Sequence, residues 1–332
     1  MSRRCTIKDV AARAGVSTTT VSHAISGRRP VSAATLATVQ RAIAETGFRP
    51  AAIARSLRTR RTETVALIVP DIANPFYPAV ARGLHDAISD HGYRTLIGST
   101  DGERQAELGF LEDVVSRSVD GIVLFSFALD GRDLTRVVGD RTPVVAAADI
   151  AGTGCDRVLV DDADGAAAAT RHLLDRGVTE IGFVSGPKGH GPGDHRLAGY
   201  LGALAAAGVV PAESNIVRAD YTVDGGRSVV GELLARRSHP RALICANDLI
   251  AIGALQAARA AGVAVPDALS VVGFDNIDAA ALVQPALTTV VIPAYEMGQQ
   301  CGRMLLARMT SEADGPARQT VVPTRLIVRA ST

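Results

Sequence analysis

Apolar residues follow a helical period at the start of the chain. Over residues 6–27 they recur three and four positions apart, and Gly15 interrupts them at a point where a left-handed backbone costs glycine little. The period predicts two short helices joined by a glycine turn, with Ser17 as the N-cap of the second. The side chains expected to face inward are Ile7, Val10, Ala11, Val16, Val21, Ala24 and Ile25.

A third helix and a short basic segment come next. Residues 32–46 carry Leu36, Val39 and Ile43 at helical spacing, and a glycine follows them. Residues 51–58 predict a further helix, but it is shorter than the roughly 12 to 15 residues that remain helical alone in water. We expect this segment to order only on binding; a basic, protease-sensitive linker is the alternative.

From residue 64 the pattern changes to strands alternating with helices. TVALIVPD at 64–71 is typical of a strand buried on both faces, and amphipathic helices separate it from similar runs. The alternation predicts parallel sheets covered by helices, and because it forms two series that divide near residue 164, it predicts two lobes with a cleft between them. Strands are expected at 64–71, 94–100, 121–127, 143–149, 180–186, 215–219, 241–248 and 269–275, with a final strand near 319–328.

The second predicted helix exposes small hydrogen-bonding groups where a solvated helix face usually carries Glu, Lys or Arg. Such groups suit close approach to base edges in a DNA groove. Charge supports this interpretation, because residues 1–61 hold twelve Lys and Arg against two acids, whereas the remaining residues hold 23 against 32. A helical hairpin without a nucleic-acid role is the alternative. The groups are those of Thr18, Thr19, Thr20, Ser22 and His23.

Residues 6–27, TIKDVAARAGVSTTTVSHAISG, resemble the helix-turn-helix of the lactose/galactose repressor (LacI/GalR) family of bacterial transcription regulators. The segment VSTTTVSH is most similar to those of the purine and ribose repressors. The resemblance covers essentially the whole chain. It implies an α/β protein with an N-terminal helix-turn-helix (lambda-repressor-like) head and a periplasmic-binding-protein-like, two-lobed parallel α/β core.

Family architecture also implies the domain limits. The last helix, within TTVVIPAYEMGQQCGRMLLARM, would return the chain to the first lobe, and the chain would cross between lobes three times. The expected parts are a DNA-binding domain at 1–48, a hinge helix or linker at 49–61, and an effector-binding and dimerisation domain at 62–332, with lobe 1 at about 62–162 and 292–320 and lobe 2 at about 163–291 and 321–330.

The resemblance implies a homodimer on a palindromic operator. In the family the second helix lies in the major groove, and a leucine of each hinge helix wedges into the central minor-groove step. Thr18, Thr19 and His23 would then read bases, and Leu57 has the wedge position. Ala51 departs from the polar residue that many members carry after the hinge proline. The expected DNA-binding residues are Thr6, Ser17, Thr18, Thr19, Thr20, Ser22, His23, Ser32, Ala54, Arg55, Leu57 and Arg58.

Polar and aromatic residues collect at the carboxyl ends of the predicted strands, where open α/β sheets bind ligands. Carboxylates, an arginine and aromatic rings suit the hydroxyls and the face of a sugar. Arg196, Asn247 and Asp275 match effector-binding residues of the family. Asp149 and Asp248 could instead be helix caps or form salt bridges between the lobes, and Tyr77 could be a core residue. The expected effector-binding residues are Asn74, Phe76, Tyr77, Asp149, Arg196, Tyr221, Asn247 and Asp275.

Residues 74–77, NPFY, resemble the ribose-recognising members and favour a pentose or a similar small sugar as effector. A purine is an alternative because of the similarity of the head, although His190 and Pro192 stand where the purine-type pocket has Arg and Thr. Ile292 replaces a polar residue of some sugar-responsive relatives, which argues against a hexose. A phosphocarrier protein partner, as in the catabolite-control branch, is a further alternative.

Several function classes find no support in the sequence. The glycines at 186–193 fit neither the dinucleotide nor the phosphate-loop pattern, no GxSxG or HExxH occurs, and the adjacent acids Asp161 and Asp162 predict a turn and helix start. We therefore expect no enzyme and no cofactor. The four cysteines lack metal or disulfide spacing. No signal peptide or membrane-spanning run is evident, so we expect a cytoplasmic protein rather than an exported sugar-binding protein.

Overall fold

The fold is that of a computed structural model, which describes residues 5–26, 29–48, 61–139, 142–150, 152–189, 191–310, 312 and 315–332. Backbone contacts divide the chain into two units, Met1–Thr62 and Glu63–Thr332, which are taken separately below.

The described part of the first unit is a small helical domain. Gly15 has φ 64°, so the left-handed turn after the first helix suits glycine. Val10, Val21 and Val39 are buried and form the centre of the core. Ile25 was expected inside but is 36% exposed, because it lies at the edge of the inward stripe. The helices are α1 (Ile7–Ala14), α2 (Thr18–Ser26) and α3 (Ala33–Thr46).

The described part of the second unit contains two six-stranded sheets. With the strands numbered along the chain as given in the next sentence, their spatial order across the first sheet is β2-β1-β3-β4-β5-β11, and across the second it is β7-β6-β8-β9-β10-β12. The strands are β1 (Thr64–Val69), β2 (Arg94–Ser99), β3 (Gly121–Leu124), β4 (Val144–Ala146), β5 (Asp156–Val160), β6 (Ile181–Ser185), β7 (Ile216–Arg218), β8 (Ala242–Cys245), β9 (Ser270–Asp275), β10 (Thr288–Val291), β11 (Gln319–Val322) and β12 (Arg325–Ile327).

Helices cover both faces of the first sheet, as the continuous hydrophobic run of β1 predicts. Val65, Leu67 and Val69 of β1 belong to one apolar cluster, whereas Ala66 and Ile68 belong to another. The helices of the unit are α4 (Phe76–Ile88), α5 (Arg104–Ser116), α6 (Gly131–Val137), α7 (Asp162–Asp175), α8 (Gly193–Ala206), α9 (Val223–Leu234), α10 (Asp248–Ala260), α11 (Asp278–Leu282) and α12 (Ala294–Met309).

The chain passes between the two lobes three times, after β5, after β10 and after β11. The prediction of one final strand near 319–328 is wrong, because β11 pairs in parallel with β5 in the first lobe, whereas β12 pairs antiparallel with β10 in the second. The third passage lies between Val322 and Arg325, and this turn separates two strands that share one hydrophobic run. The boundary between the two lobes near the end of the chain, expected between residues 320 and 321, therefore lies two residues later, after Val322.

Helices α4 and α12 pack closely in the first lobe. A Cβ at Gly83 would collide with the carbonyl oxygen of Tyr295, and one at Gly298 would collide with that of Val80. Glycine is therefore required at both positions for the two helices to approach this closely. Since α4 begins at the proposed effector residues, this packing fixes their place in the lobe.

Candidate functional site

The exposed surface of α2 presents two threonines outward. Thr18 and Thr19 are exposed, whereas Ser22 and His23 are half-buried. The Ser17 hydroxyl accepts a hydrogen bond from the Thr20 amide at 3.0 Å and lies 2.9 Å from the Thr20 hydroxyl, so both side chains cap the helix. Thr18 and Thr19 are thus the predicted base readers that the helix leaves available.

Two other predicted DNA-contact residues begin helices. The amide and the hydroxyl of Thr6 donate to the Asp9 carboxylate at 2.8 and 2.7 Å at the start of α1. The Ser32 hydroxyl accepts from the Thr35 amide at 3.2 Å at the start of α3. A capping role explains both residues, and a phosphate contact by either one stays a prediction. The predicted hinge residues Ala54, Arg55, Leu57 and Arg58 lie outside the described residues.

Arg196 is the centre of a buried charged cluster in the second lobe. Its Nε donates to Asp162 at 2.7 Å, and its Nη1 donates to Asp275 at 3.4 Å and to the carbonyl of Ala246. The guanidinium carbon lies 3.7 Å from the centre of the Phe274 ring. Burial opposes the charged form, but the two carboxylates outweigh it and raise the pKa of Arg196.

A strained turn directs Asp275 toward Arg196. Asp275 has φ 107° and Asn276 has φ 58°, backbone conformations that L-residues rarely adopt. The buried Asp248 carboxylate accepts from the Ile277 amide at 2.8 Å and from the Thr289 hydroxyl at 2.5 Å. These bonds hold the residue after the turn, and Arg329 holds Asn276 with a hydrogen bond of 2.7 Å to its side-chain oxygen.

Aromatic rings of the first lobe face this cluster. Phe76 and Tyr77 pack edge to face with centroids 5.2 Å apart, and the Tyr77 and Phe125 rings are 5.4 Å apart. The Asn74 side-chain oxygen accepts from the Phe76 amide at 3.0 Å, which fixes the start of α4. Burial, then the nearby Asp275 carboxylate of the other lobe, raises the pKa of Tyr77. The two lobes therefore bring aromatic and charged groups together.

Tyr221 occupies a slot made by glycines. A Cβ at Gly186 would collide with its ring, and the Gly193 amide donates to its hydroxyl at 3.0 Å. The Asn247 side chain accepts from the Ile250 amide at 2.8 Å as the cap of α10, and its Nδ2 lies 3.4 Å from the Tyr221 carbonyl. Burial raises the pKa of Tyr221 to about 12, so the phenol keeps its proton as a donor at neutral pH.

Known protein families match both the N-terminal helical domain and the α/β core. Residues 6–51 match the family described as bacterial regulatory proteins, lacI family, and residues 170–332 match the periplasmic binding protein-like domain. The transcriptional repressor CytR of Escherichia coli K12 is 34% identical over 98% of this chain and 96% of its own length. The chain belongs to the lacI family of bacterial regulatory proteins. It is accordingly a DNA-binding transcription regulator whose core resembles the periplasmic ligand-binding proteins.

Two solved structures of similar transcriptional regulators contain a bound sugar. The transcriptional regulator CelR in complex with cellobiose is 33% identical, with a TM-score of 0.74, and the match covers 99% of this chain and 100% of that one. A LacI family regulator from Enterococcus faecium with bound ribose is 26% identical, with a TM-score of 0.72, and the match covers 81% of this chain and 98% of that one. The predicted family and fold are thus confirmed.

The structure brings most of the predicted effector residues together. Arg196 and Asp275 are in contact, Asn247 and Tyr221 lie at the same strand ends, and Phe76 and Tyr77 face them. Asp149 differs, because its carboxylate is half exposed and pairs with Arg157 at 3.0 Å in the first lobe. The sequence allowed a helix cap or a salt bridge between the lobes as alternatives, but this pair lies within the first lobe because Arg157 belongs to β5 of the first sheet.

Asp162 and Phe274 were missing from the predicted site, and Asp248 was considered at the strand ends but not retained. Asp162 looked like part of a helix start, but only Asp161 is the cap of α7, whereas Asp162 bonds Arg196. Asp248 follows the capping Asn247 and turns into the core. Phe274 looked like any strand residue. A pair of acids at one helix start, of which a cap uses one, was the available signal for Asp162.

Three other possible features of the described residues are a metal site, a membrane-spanning helix and a second cavity. No group of three or more His, Cys, Asp and Glu is placed to hold a metal ion in the described residues. No described helix is long and apolar enough to cross a membrane. A cavity of about 470 Å³ in the first lobe is lined by residues including Thr135, Cys155 and Arg308. The buried Asp156 beside it is bonded by two arginines, so this cavity offers no free buried group to a ligand.

The buried Asp248 predicts a pH-dependent stability. Burial, then the neighbouring Asp275, raises its pKa to about 8, whereas an unfolded aspartate titrates near about 3.9. Between these values the folded state holds the proton and the unfolded state does not, so this stabilisation is lost as the pH rises toward 8. We expect the free energy of unfolding by urea to fall less between pH 5 and 8 in Asp248→Asn than in the wild type.

The exposed Asp224→Asn on α9 is the matched control, and its pH profile should follow the wild type. Parallel profiles for Asp248→Asn and the wild type would contradict a neutral Asp248.

Proposed function

We propose that this chain represses transcription as a homodimer on a palindromic operator, and that a small sugar of pentose size, held between the two lobes, controls operator affinity. The observation that carries the proposal is the pairing, in one chain, of an exposed Thr18–Thr19 surface on a basic head with a buried Arg196–Asp275 cluster facing aromatic rings. The first suits a major groove, and the second suits the hydroxyls of a sugar.

Sugar chemistry fits the donors and acceptors of the cluster. Asp275 can accept from ligand hydroxyls, Arg196 can donate to them, and the Tyr77 edge offers an apolar surface for a ring. The cellobiose and ribose bound by the related regulators support this class. We expect a sugar to favour one relative orientation of the lobes and thereby to change the spacing of the two hinge segments in the dimer.

Operator recognition is tested by substituting Thr19. We expect Thr19→Ala to lose about 1–3 kcal/mol of specific binding free energy, or roughly 5- to 150-fold in affinity, because a base contact disappears. Binding to scrambled duplex, which rests on phosphate contacts, and the salt dependence of affinity should both stay unchanged. The measurement is fluorescence anisotropy with a palindromic site selected from random duplexes. Thr38→Ala, an exposed threonine on α3, is the control. Equal loss on specific and scrambled duplex would remove Thr19 from base reading.

The effector class is tested with the same operator complex. D-Ribose, D-xylose, D-glucose, cellobiose, adenine and guanine are titrated in turn, and one of the sugars should shift the operator affinity at least tenfold, a coupling of about 1.4 kcal/mol. A response to the purines alone, or to no small molecule, would reject the sugar.

A further inference from the structure

Asp162 places a second carboxylate on the arginine that also holds Asp275, and burial raises the pKa of Asp275 to about 7. Arg196 is 4% exposed, and it bonds both Asp162 at 2.7 Å and Asp275 at 3.4 Å. Two carboxylates therefore share one guanidinium, and the Ala246 carbonyl takes a further N–H. These bonds use the Nε and Nη1 donors, and the positive charge is already shared between two carboxylates before any ligand binds.

The position of Asp162 is fixed by the places where the chain passes between the lobes. The preceding residue, Asp161, donates its amide to the Val322 carbonyl at 3.3 Å, and its own carbonyl accepts from the Thr324 hydroxyl at 3.3 Å. Asp161 also caps α7 through its carboxylate. These bonds hold the first passage against the third, and they fix the backbone from which the Asp162 side chain reaches Arg196.

Arg196 is the cation that acts on both tyrosines of the site. The carboxylates that act on Tyr77 or Tyr221 are those of Asp71, Asp162 and Asp275. Three further arginines of this unit are engaged by other groups. Arg218 bonds Asp194, Arg157 bonds Asp149, and Arg329 bonds Asn276 and the Leu287 carbonyl.

Resting on the proposed function, we propose that Asp162 is a specificity-determining residue that restricts the site to effectors without negative charge. Neutral polyols and sugars can donate hydroxyl protons to the two carboxylates. A phosphate ester or a carboxylic acid would instead place an anion beside them, next to a guanidinium that is only 4% exposed, where like charges interact more strongly than in water. Asp162 thus acts by rejecting the wrong ligand, as specific sites commonly do.

The experiment compares Asp162→Asn with Asp161→Asn in the full chain. Both substitutions remove one negative charge, but only the first lies against Arg196. D-Ribose 5-phosphate and inorganic phosphate are titrated by calorimetry. We expect no saturable binding to the wild type or to Asp161→Asn. In Asp162→Asn we expect saturable binding of ribose 5-phosphate, at least about tenfold tighter than the detection limit of the wild-type titration, because a carboxylate on Arg196 is removed. Asp162→Ser should show the same gain, and Asp162→Glu should show none.

Two results would overturn the proposal. One is ribose 5-phosphate binding to the wild type that is as tight as that of D-ribose and is lost in Arg196→Ala. The other is the absence of any gain in both folded Asp162→Asn and Asp162→Ser. Failure of every neutral sugar to change operator binding would instead reject the sugar effector, and the anion titrations would still decide the role of Asp162.

Discussion

Replacing Arg196 with alanine is expected to abolish the effect of the sugar on operator binding, with a loss of sugar affinity on the order of 100-fold or more. The substitution removes the donor of the cluster and leaves Asp162 and Asp275 facing each other without a cation between them. Operator affinity without sugar should stay within about twofold, since the site is not part of the reading head.

Operator affinity is measured by fluorescence anisotropy, with and without the sugar that changes the operator affinity of the wild type most strongly. Arg227→Ala is the matched control, because this arginine pairs with Asp224 on the exposed surface of the same lobe. Arg196→Lys keeps the charge but not the planar group, and it should fold while responding weakly. A full sugar response in folded Arg196→Ala would remove the arginine from the effector site.

Some of this architecture is readable from local sequence. The β1 run is buried on both faces because every residue after Thr64 is apolar, and this pattern requires helices on each side. Arg196 and Asp275 could be predicted because each lies where a strand ends or a helix begins, the positions at which open sheets bind ligands. The helix-turn-helix could be predicted because Gly15 and the apolar period lie within one short segment.

Other features depend on contacts that no local pattern encodes. Asp162 meets Arg196 across 34 positions, and Arg196 meets Asp275 across 79. From the sequence, Asp162 is indistinguishable from a cap until its partner is known. The separation of β11 from β12 depends likewise on whether each strand finds β5 or β10, a choice made by tertiary pairing rather than by β-propensity.

The cluster also lies beside the passages between the lobes. Asp162 follows the first passage, and the Asp275 carbonyl accepts from the Ile292 amide, which begins the second, at 3.4 Å. A ligand that bonds Arg196 and Asp275 therefore acts on the segments about which the lobes would turn. Under the proposed function, this proximity allows a few hydrogen bonds in the site to change the spacing of the hinges.

The free energy of unfolding is expected to fall by about 3 kcal/mol in Asp156→Asn, because breaking a buried ion network leaves charges without partners. Asp156 begins β5 and is fully buried. Its carboxylate accepts from Arg308 of α12 at 2.7 and 3.1 Å, and from the Arg318 side chain at 2.6 and 3.1 Å and its amide at 2.8 Å. It therefore holds both returning segments to the first sheet. This value is at the lower end of the range for breaking a buried ion pair, because the Arg318 side chain is 42% exposed and water can solvate its charge once Asp156 is replaced.

Urea unfolding followed by circular dichroism measures this loss, with Asp113→Asn as the control. Asp113 pairs with Arg117 one helical turn away on the surface, so its loss should cost only about 0.3–0.5 kcal/mol. Burial opposes ionisation of Asp156, but Arg308 and Arg318 hold its pKa at about 2. Its contribution is therefore present above the unfolded pKa of about 3.9 and is lost as the pH falls through 2, so the difference between variant and wild type should shrink in acid. Equal losses for Asp156→Asn and Asp113→Asn at pH 7 would show that β11 and α12 are held to the sheet by apolar packing alone.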